Sequence, residues 1–203
     1  TLCEKLRGRT AARRYVELGR LDLLLLRINP INASVLSFAS LVERLGVPVL
    51  CAPGALVRTS NKAYLATLTD VPTPRTLVSR SFSTLAAFAA DQPTGTIIKP
   101  ARASGGRGIQ LVPPQSPMPL EAALDGARDA GDGYIVAQEY LVAAEEGEKR
   151  LVWLDGRLLG GYLRRRAPGE FRHNLKQGGQ PEPCEITPQD HALVDALTPH
   201  LRA

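Results

Sequence analysis

Apolar and polar positions along this chain change period several times, and each change predicts an element. In LDLLLLR the run Leu23 to Leu26 is too short for a lone helix and reads as a strand buried on both faces, with Arg27 at its carboxyl end. From Asn32 to Leu45 the residues Val35, Leu36, Ala39, Leu41, Val42 and Leu45 recur at roughly helical spacing, and Gly46 stops the pattern. Val47 to Cys51 is a second apolar run. Strand, helix and strand in that order make a parallel βαβ unit, whose loops at the carboxyl ends of the strands commonly meet ligands.

Ser60 is placed to cap a short helix carrying Asn61, Lys62 and Tyr64, and Val71-Pro72-Thr73-Pro74 then forces an extended linker. A lobe boundary is therefore expected near residue 70, with a partial α/β lobe and linker helix over 1–70 and the remainder over 71–203. Beyond it the pattern predicts strands at Arg75 to Val78 and Thr96 to Lys99, with a helix between them from Ser83 to Ala90. Gly105, Gly106 and Gly108 connect to a strand at Ile109 to Val112, which is hairpin-like. A helix from Leu120 to Ala130 precedes a strand at Tyr134 to Gln138. Arg150 to Leu154 and Arg157 to Leu163 flank Asp155-Gly156 as a β-hairpin. This order predicts an α+β lobe with an antiparallel sheet. Pro168 to Pro183 reads as a polar, mobile loop, and Thr187-Pro188 as the start of a last helix.

Composition narrows the classes. A hydrophobic content of 44% in 203 residues suits a folded globular protein. No apolar run approaches the length of a transmembrane helix, and the start TLCEKLRGRTAARRYVEL lacks a signal core, so a cytoplasmic protein with no membrane partner is expected. Cys3, Cys51 and Cys184, and His173, His191 and His200, show neither disulfide nor metal-ligand spacing. The net charge of +5 comes with arginines concentrated at Arg7 to Arg14 and Arg164 to Arg166. With aromatics at only 5%, no base-stacking platform accompanies them, and a phosphate ligand accounts for the second cluster at least as well as nucleic acid.

The segment IIKPARASGGRG puts Lys99 at the end of an apolar strand with a glycine loop directly after it. Glycine lets backbone N–H groups approach an anion, and a strand-borne lysine supplies a positioned charge; an ordinary glycine turn beside a surface lysine would look the same locally. The spacing matches neither the dinucleotide fingerprint nor the P-loop. Downstream, VAQEYL passes from a strand into a loop bearing Glu145, Glu146 and Glu148. A strand end can match an adenine edge through its backbone, and a nearby carboxylate can accept from ribose hydroxyls; alone, the same loop reads as a solvated acidic surface.

From Leu23 onward the chain resembles the ATP-grasp superfamily, and specifically the bacterial glutathione synthetases, through LLLLRINP, GVPVLCAPGALVRTSNKAYL, PTPRTLVSR, IIKPARASGGRGIQLV, VAQEYLVAAEEGEKRLVWLDGRLLGGYLRR and GEFRHNLKQGGQPEP. The resemblance implies a mixed α/β and α+β fold, with two α+β lobes gripping ATP behind part of an α/β substrate lobe. It makes Lys62 and Lys99 the phosphate lysines and Ser104, Gly105, Gly106 and Gly108 part of a closing loop. Gln138, Glu139, Tyr140 and Leu141 become the adenine hinge, and Glu148 the ribose acid. Arg150, Arg165 and Asn174 are implied as catalytic, and Arg27 and Arg172 as substrate-binding.

The implied reaction is ATP-dependent amide formation between a carboxylate and an amine through an acyl phosphate, as with γ-glutamylcysteine and glycine. The alternatives are a related ATP-grasp peptide or amino-acid ligase with another substrate, and a silent ATP-binding regulator. ATP and Mg2+ are the implied cofactors, small-molecule substrates and further copies of the chain the expected partners, and nucleic acid is not expected. No metal ligand is expected within the chain: the family's acidic residue and Glu-x-Asn segment would follow Ala203. Two motifs depart from the family, Arg27-Ile28-Asn29-Pro30 in place of Lys-Asp-Pro, and Arg172-His173-Asn174 in place of Arg-Gly-Asn.

Overall fold

The structure is a computed structural model that describes residues 2–10, 12, 14–28, 31–114 and 117–202. The chain forms two compact units, Thr1–Leu56 and Val57–Ala203. Residues 57–70, expected with the first lobe, group with the second. The backbone reason is visible at Lys62, whose N–H donates to the Ala101 carbonyl at 2.9 Å, and at Tyr64, whose hydroxyl donates to the His200 carbonyl at 2.8 Å.

The first unit opens with a short helix α1 (Leu2–Arg7) and then builds β1 (Leu24–Leu25), α2 (Ala33–Arg44) and β2 (Val49–Leu50). β1 and β2 pair in parallel, Leu24 opposite Val49 and Leu25 opposite Leu50, as the βαβ pattern predicts. Asn32 caps α2 by accepting from the Val35 N–H at 2.9 Å, and Gly46, at φ +81°, takes the left-handed turn that ends it. Strand β1 is not covered on both faces: Leu25 is 51% exposed, and Asn29 and Pro30 lie outside the described residues. A two-stranded sheet with α2 as its covering helix buries one side, so Ala39 and Val42 are fully enclosed while Leu41 and Leu45 face outward.

Helix α3 (Pro53–Thr59) carries the chain into the second unit. The short helix after it is a 3-10 turn, Lys62–Thr67, and its cap is Asn61 rather than Ser60: the Asn61 side chain accepts from the Ala63 N–H at 2.9 Å. After the extended linker come β3 (Thr76–Ser79), α4 (Phe82–Ala90), β4 (Thr96–Pro100), β5 (Gln110–Val112), α5 (Pro117–Asp129) and β6 (Ile135–Glu139). Their strands form an antiparallel sheet in the order β3-β6-β4-β5.

Both helices pack on one face of this sheet, because alternate strand residues point to opposite sides. Ile98, Ile135 and Ala137 point inward and join Leu85, Leu124 and Ala127 at the centre of the core, these six being 0–1% exposed. Each fully buried Leu or Ile there contributes about 1.5–3 kcal/mol by leaving water.

The remaining strands, β7 (Glu148–Leu154), β8 (Arg157–Arg165) and β9 (Gln180–Pro183), form a second antiparallel sheet covered by α6 (Pro188–Arg202). Asp155 and Gly156 turn the β7–β8 hairpin with φ of +47° and +79°, the left-handed pair that a tight hairpin needs. Segment 168–183, read from sequence as a mobile loop, instead ends in strand β9, with Tyr162 opposite Pro183 and Arg164 opposite Pro181. Its prolines conceal it in the sequence, yet an edge strand tolerates residues that cannot donate to a ladder. Thr187 and Asp190 start α6 as a reciprocal cap: the Thr187 N–H donates to Asp190 Oδ2 at 2.7 Å, and the Asp190 N–H to Thr187 Oγ1 at 3.4 Å.

Candidate functional site

The face of the first sheet opposite its helices carries Lys99 and Gln138. Register explains this: Lys99 lies opposite Val136 and Ile97 opposite Gln138, so both polar side chains emerge on the side that Ile98 and Ala137 do not use. Lys99 Nζ donates to Gln138 Oε1 at 2.6 Å, Gln138 Nε2 to Thr76 Oγ1 at 2.8 Å, and the Thr76 hydroxyl to the Pro74 carbonyl at 2.7 Å. This relay turns the Gln138 carbonyl toward the lysine. The lysine is thus held by a neutral acceptor.

Lys62 reaches the same region from the 3-10 turn. Its Nζ donates to the Pro100 carbonyl at 3.1 Å and to the Ala103 carbonyl at 2.7 Å, strapping the strand end that leads into the glycine loop. Burial lowers the proton affinity of Lys62. Burial also brings Lys99 down to about 8, helped by the positive charge of Lys62 and opposed by the negative charge of Glu148. Lys62, Lys99 and Glu148 therefore share one electrostatic neighbourhood, although they come from three separate elements.

The glycine loop bends left-handed at Gly105, Gly106 and Gly108, with φ of +68°, +80° and +65°. It docks on the 170–177 segment of the second sheet: Arg172 Nη1 donates to the Gly106 carbonyl at 3.0 Å and Gln177 Nε2 to the Gly105 carbonyl at 3.3 Å. Asn174 lies against the same loop, since a Cβ at Gly106 would fall 3.0 Å from Asn174 Oδ1. Glu170 braces Arg172 in a fork, Nε to Oε1 at 2.9 Å and Nη2 to Oε2 at 2.6 Å, and that arginine pulls the Glu170 carboxyl down to about 2. Ser104 stands at the loop entry, half-buried.

In the expected hinge, Gln138 is buried, Glu139 and Tyr140 half-buried and Leu141 exposed. The backbone of Tyr140 is already engaged, its N–H by the Gly95 carbonyl at 3.0 Å and its carbonyl by Thr94 Oγ1 at 2.7 Å. Its hydroxyl donates to Glu145 Oε1 at 3.0 Å, tying the hinge to the turn that follows.

The second sheet sorts the arginines by alternation. Lys149, Leu151 and Trp153 face α6, with Trp153 Nε1 donating to Thr198 Oγ1 at 3.1 Å, so Glu148 and Arg150 emerge on the other face. Arg164 and Tyr162, opposite Glu148 and Arg150, share that face. Arg165 alternates away and binds Glu182 Oε2 at 2.9 Å and the Glu146 carbonyl. Arg150 is thus brought to the Glu148 face and Arg165 is not. Arg27 belongs to the first unit, where it is exposed.

Sequence reading passed over Glu170, which braces Arg172; it took Arg164 and Arg166 only as part of a phosphate-binding cluster and His173 only as a departure from the family motif. Arg164 pairs with Glu148, and Arg166 with Glu145 at 3.5 Å, so the cluster read as a phosphate patch is largely engaged by the acidic turn beside it. His173 is only 5% exposed, and burial lowers its proton affinity. The pairing register was the missing signal. Among the described residues no group of three or more His, Cys, Asp or Glu converges as a metal site, and no helix is long and apolar enough to cross a membrane.

Comparison with known proteins agrees with this architecture. The family model for the prokaryotic glutathione synthetase ATP-grasp domain matches residues 61–203. A glutathione synthetase of Prochlorococcus marinus (strain MIT 9313) is 38% identical over 162 residues, covering 80% of this chain and 52% of the relative. One from Citrobacter rodentium is 32% identical over 192 residues, covering 92% of this chain and 60% of the relative. The chain spans about half the length of the curated relatives it matches. Among solved structures, D-cycloserine synthetase DcsG superposes with a TM-score of 0.71 at 18% identity, over 92% of this chain and 68% of that one. D-alanyl-alanine synthetase A from Vibrio cholerae does so with 0.65 at 16%, over 90% and 60%. The two neighbouring lysines, the glycine loop and the two antiparallel sheets are thus those of a chain that belongs to the prokaryotic glutathione synthetase ATP-grasp domain family.

Proposed function

We propose that this chain grips the ATP of a carboxylate–amine ligase that makes an amide through an acyl phosphate, with γ-glutamylcysteine and glycine as the acid and the amine. The observation that carries the proposal is the convergence of Lys62 and Lys99, close enough for one ammonium to lower the proton affinity of the other, beside a docked glycine loop. Two unneutralised cations at close range repel, and a triphosphate between them converts that repulsion into attraction.

In this reading Lys99 and Lys62 hold phosphate oxygens, and the Ser104–Gly108 loop covers them. Gln138 to Leu141 receive the adenine and Glu148 the ribose hydroxyls. Arg150 is assigned to the transferred phosphoryl group, Arg172 and Asn174 to the loop that shields the intermediate from water, and Arg27 to the acid substrate; Arg165, turned to the other face and bound to Glu182, does not take the phosphoryl role that the resemblance implies for it. Catalysis is then positioning, charge neutralisation and exclusion of water, with no side-chain nucleophile. The proposed cofactors are ATP and Mg2+. The described residues do not fit a metal site of their own, so the roles assigned to this chain are binding and orientation. The working assembly is proposed to be a cytoplasmic homo-oligomer.

The departure to Arg172-His173-Asn174 favours a second reading of the substrate alone, in which a related acid replaces γ-glutamylcysteine: a buried imidazole occupies volume that glycine would leave open. Calorimetric titration of ATP into the wild type and Lys99→Ala tests the site, and unchanged affinity in a folded variant defeats it. Phosphate release with the full-length protein across a panel of acids and amines then separates the substrates. Release only with γ-glutamylcysteine and glycine supports the first reading, turnover of other acids the second, and ATP binding without any release would identify a silent regulator.

A further inference from the structure

Two buried side-chain nitrogens near the candidate site have no hydrogen-bond partner, Arg164 Nε and His173 Nε2. Both belong to groups gathered around Glu148. Arg164 Nη2 pairs with Glu148 Oε1, and the arginine side chain is only 10% exposed against 49% for the carboxylate. The acid is therefore the half-open member of the pair and the arginine the fixed one. Glu148 also acts on two further groups, Lys99 and His173, while Arg164 and Arg166 act on His173 from the β8 side and the Ala144 backbone from the turn before β7.

A half-exposed glutamate beside a lysine whose hydrogen-bond acceptor is a neutral amide would, if unrestrained, swing to that lysine, since opposite charges attract more strongly as water is excluded. Lys99 instead remains on Gln138 Oε1. What holds the carboxylate back is the cross-strand register that places Arg164 directly opposite Glu148, with the arginine too buried to follow it. We propose that Arg164 is a positioning residue that holds the Glu148 carboxylate on the second sheet and so keeps the Lys99 ammonium free for a phosphate. The inference rests on the nucleotide reading above and adds to it a residue that reading does not use. His173, buried in the segment that docks on Gly106, lies within electrostatic range of the same pair.

The test follows ATP affinity by calorimetry between pH 7 and 10 in the full chain, a window that spans the Lys99 titration at about 8; Lys62, itself lowered by burial, and Glu148 are its neighbours, and burial lowers the proton affinity of His173 as well. In Arg164→Met the released carboxylate pairs with Lys99. Affinity at pH 7 then falls about tenfold, and the pH at which affinity is half lost rises by about one unit. Arg164→Lys keeps the wild-type midpoint. Arg164→Met in a Glu148→Gln background has the same midpoint as Glu148→Gln alone, and this double variant leaves no unpaired carboxylate, so it decides the matter even if Arg164→Met fails to fold. A different midpoint in that double variant, or an unchanged midpoint in folded Arg164→Met, overturns the proposal. Wild-type protein that binds no ATP at any pH would instead sink the nucleotide reading itself.

Discussion

Lys99 and Gln138 meet across neighbouring strands, ammonium to amide carbonyl at 2.6 Å, and this contact brings a half-buried lysine to the candidate site without a direct carboxylate partner. An amide orients the ammonium without neutralising it. The charge stays available, and burial makes it readily lost, which leads to the first prediction.

ATP affinity should be level near pH 7 and fall as pH rises through about 8, where folded Lys99 gives up its proton. ATP binding near pH 8 should take up a proton, measurable by calorimetry in buffers of different ionisation enthalpy. Without ligand the sign reverses for stability. The folded pKa lies below the ordinary lysine value of 10.5, so the unfolded chain binds more protons across that window, and stability against denaturant should rise between about 8 and 10.5. A flat affinity profile over the same range would count against Lys99 as a phosphate ligand.

Gly108→Ala should destabilise the second unit by about 1–3 kcal/mol in urea unfolding. The added Cβ meets Ala130 Cβ at 2.9 Å and Pro100 at 3.2 Å, on a backbone at φ +65°. Gly106→Ala meets Asn174 Oδ1 at 3.0 Å, and should loosen the docked loop with a smaller loss of stability, seen as faster amide exchange at 104–108.

Glu170→Gln should release Arg172 from its fork and weaken the Gly106 contact, raising protease sensitivity near 170–177. In the wild type the Glu170 carboxyl is depressed to about 2, so its contribution is complete above the ordinary carboxylate range and is lost as pH falls toward 2. Acid-induced opening of this segment, followed by hydrogen exchange, should therefore appear in the wild type as pH falls toward 2, whereas in Glu170→Gln the segment should exchange faster already at neutral pH and lose this acid dependence. Equal opening profiles would show that the fork does not hold the loop.

Leu124→Ala should cost about 2–5 kcal/mol, because a side chain 1% exposed beneath the first sheet leaves a cavity when shortened. Folded variant protein should keep the pH midpoint of ATP binding, since the substitution lies on the helix side of the sheet. A shifted midpoint would mean that core packing, not Lys99, sets it.

Local chemistry was legible in this sequence wherever a short stretch determines its own geometry. The period of the apolar residues predicts the βαβ unit and most strands, Asp155-Gly156 announces its hairpin, and Thr187 starts the last helix. The glycines after Lys99 declare a loop able to bend left-handed, because that freedom resides in the residue itself. Family resemblance rests on the same local blocks in their order. Other features were set only when distant segments met. Whether Arg164 or Arg165 faces Glu148 depends on cross-strand register, where a shift of one residue reverses the face. The strand at Gln180 to Pro183 exists because β8 offers it an edge, and Asn61 displaced Ser60 as a cap through the path the backbone takes past Ala101. The depressed proton affinity of Lys99 arises from burial and from a second lysine 37 positions earlier, a through-space effect that no linear pattern carries.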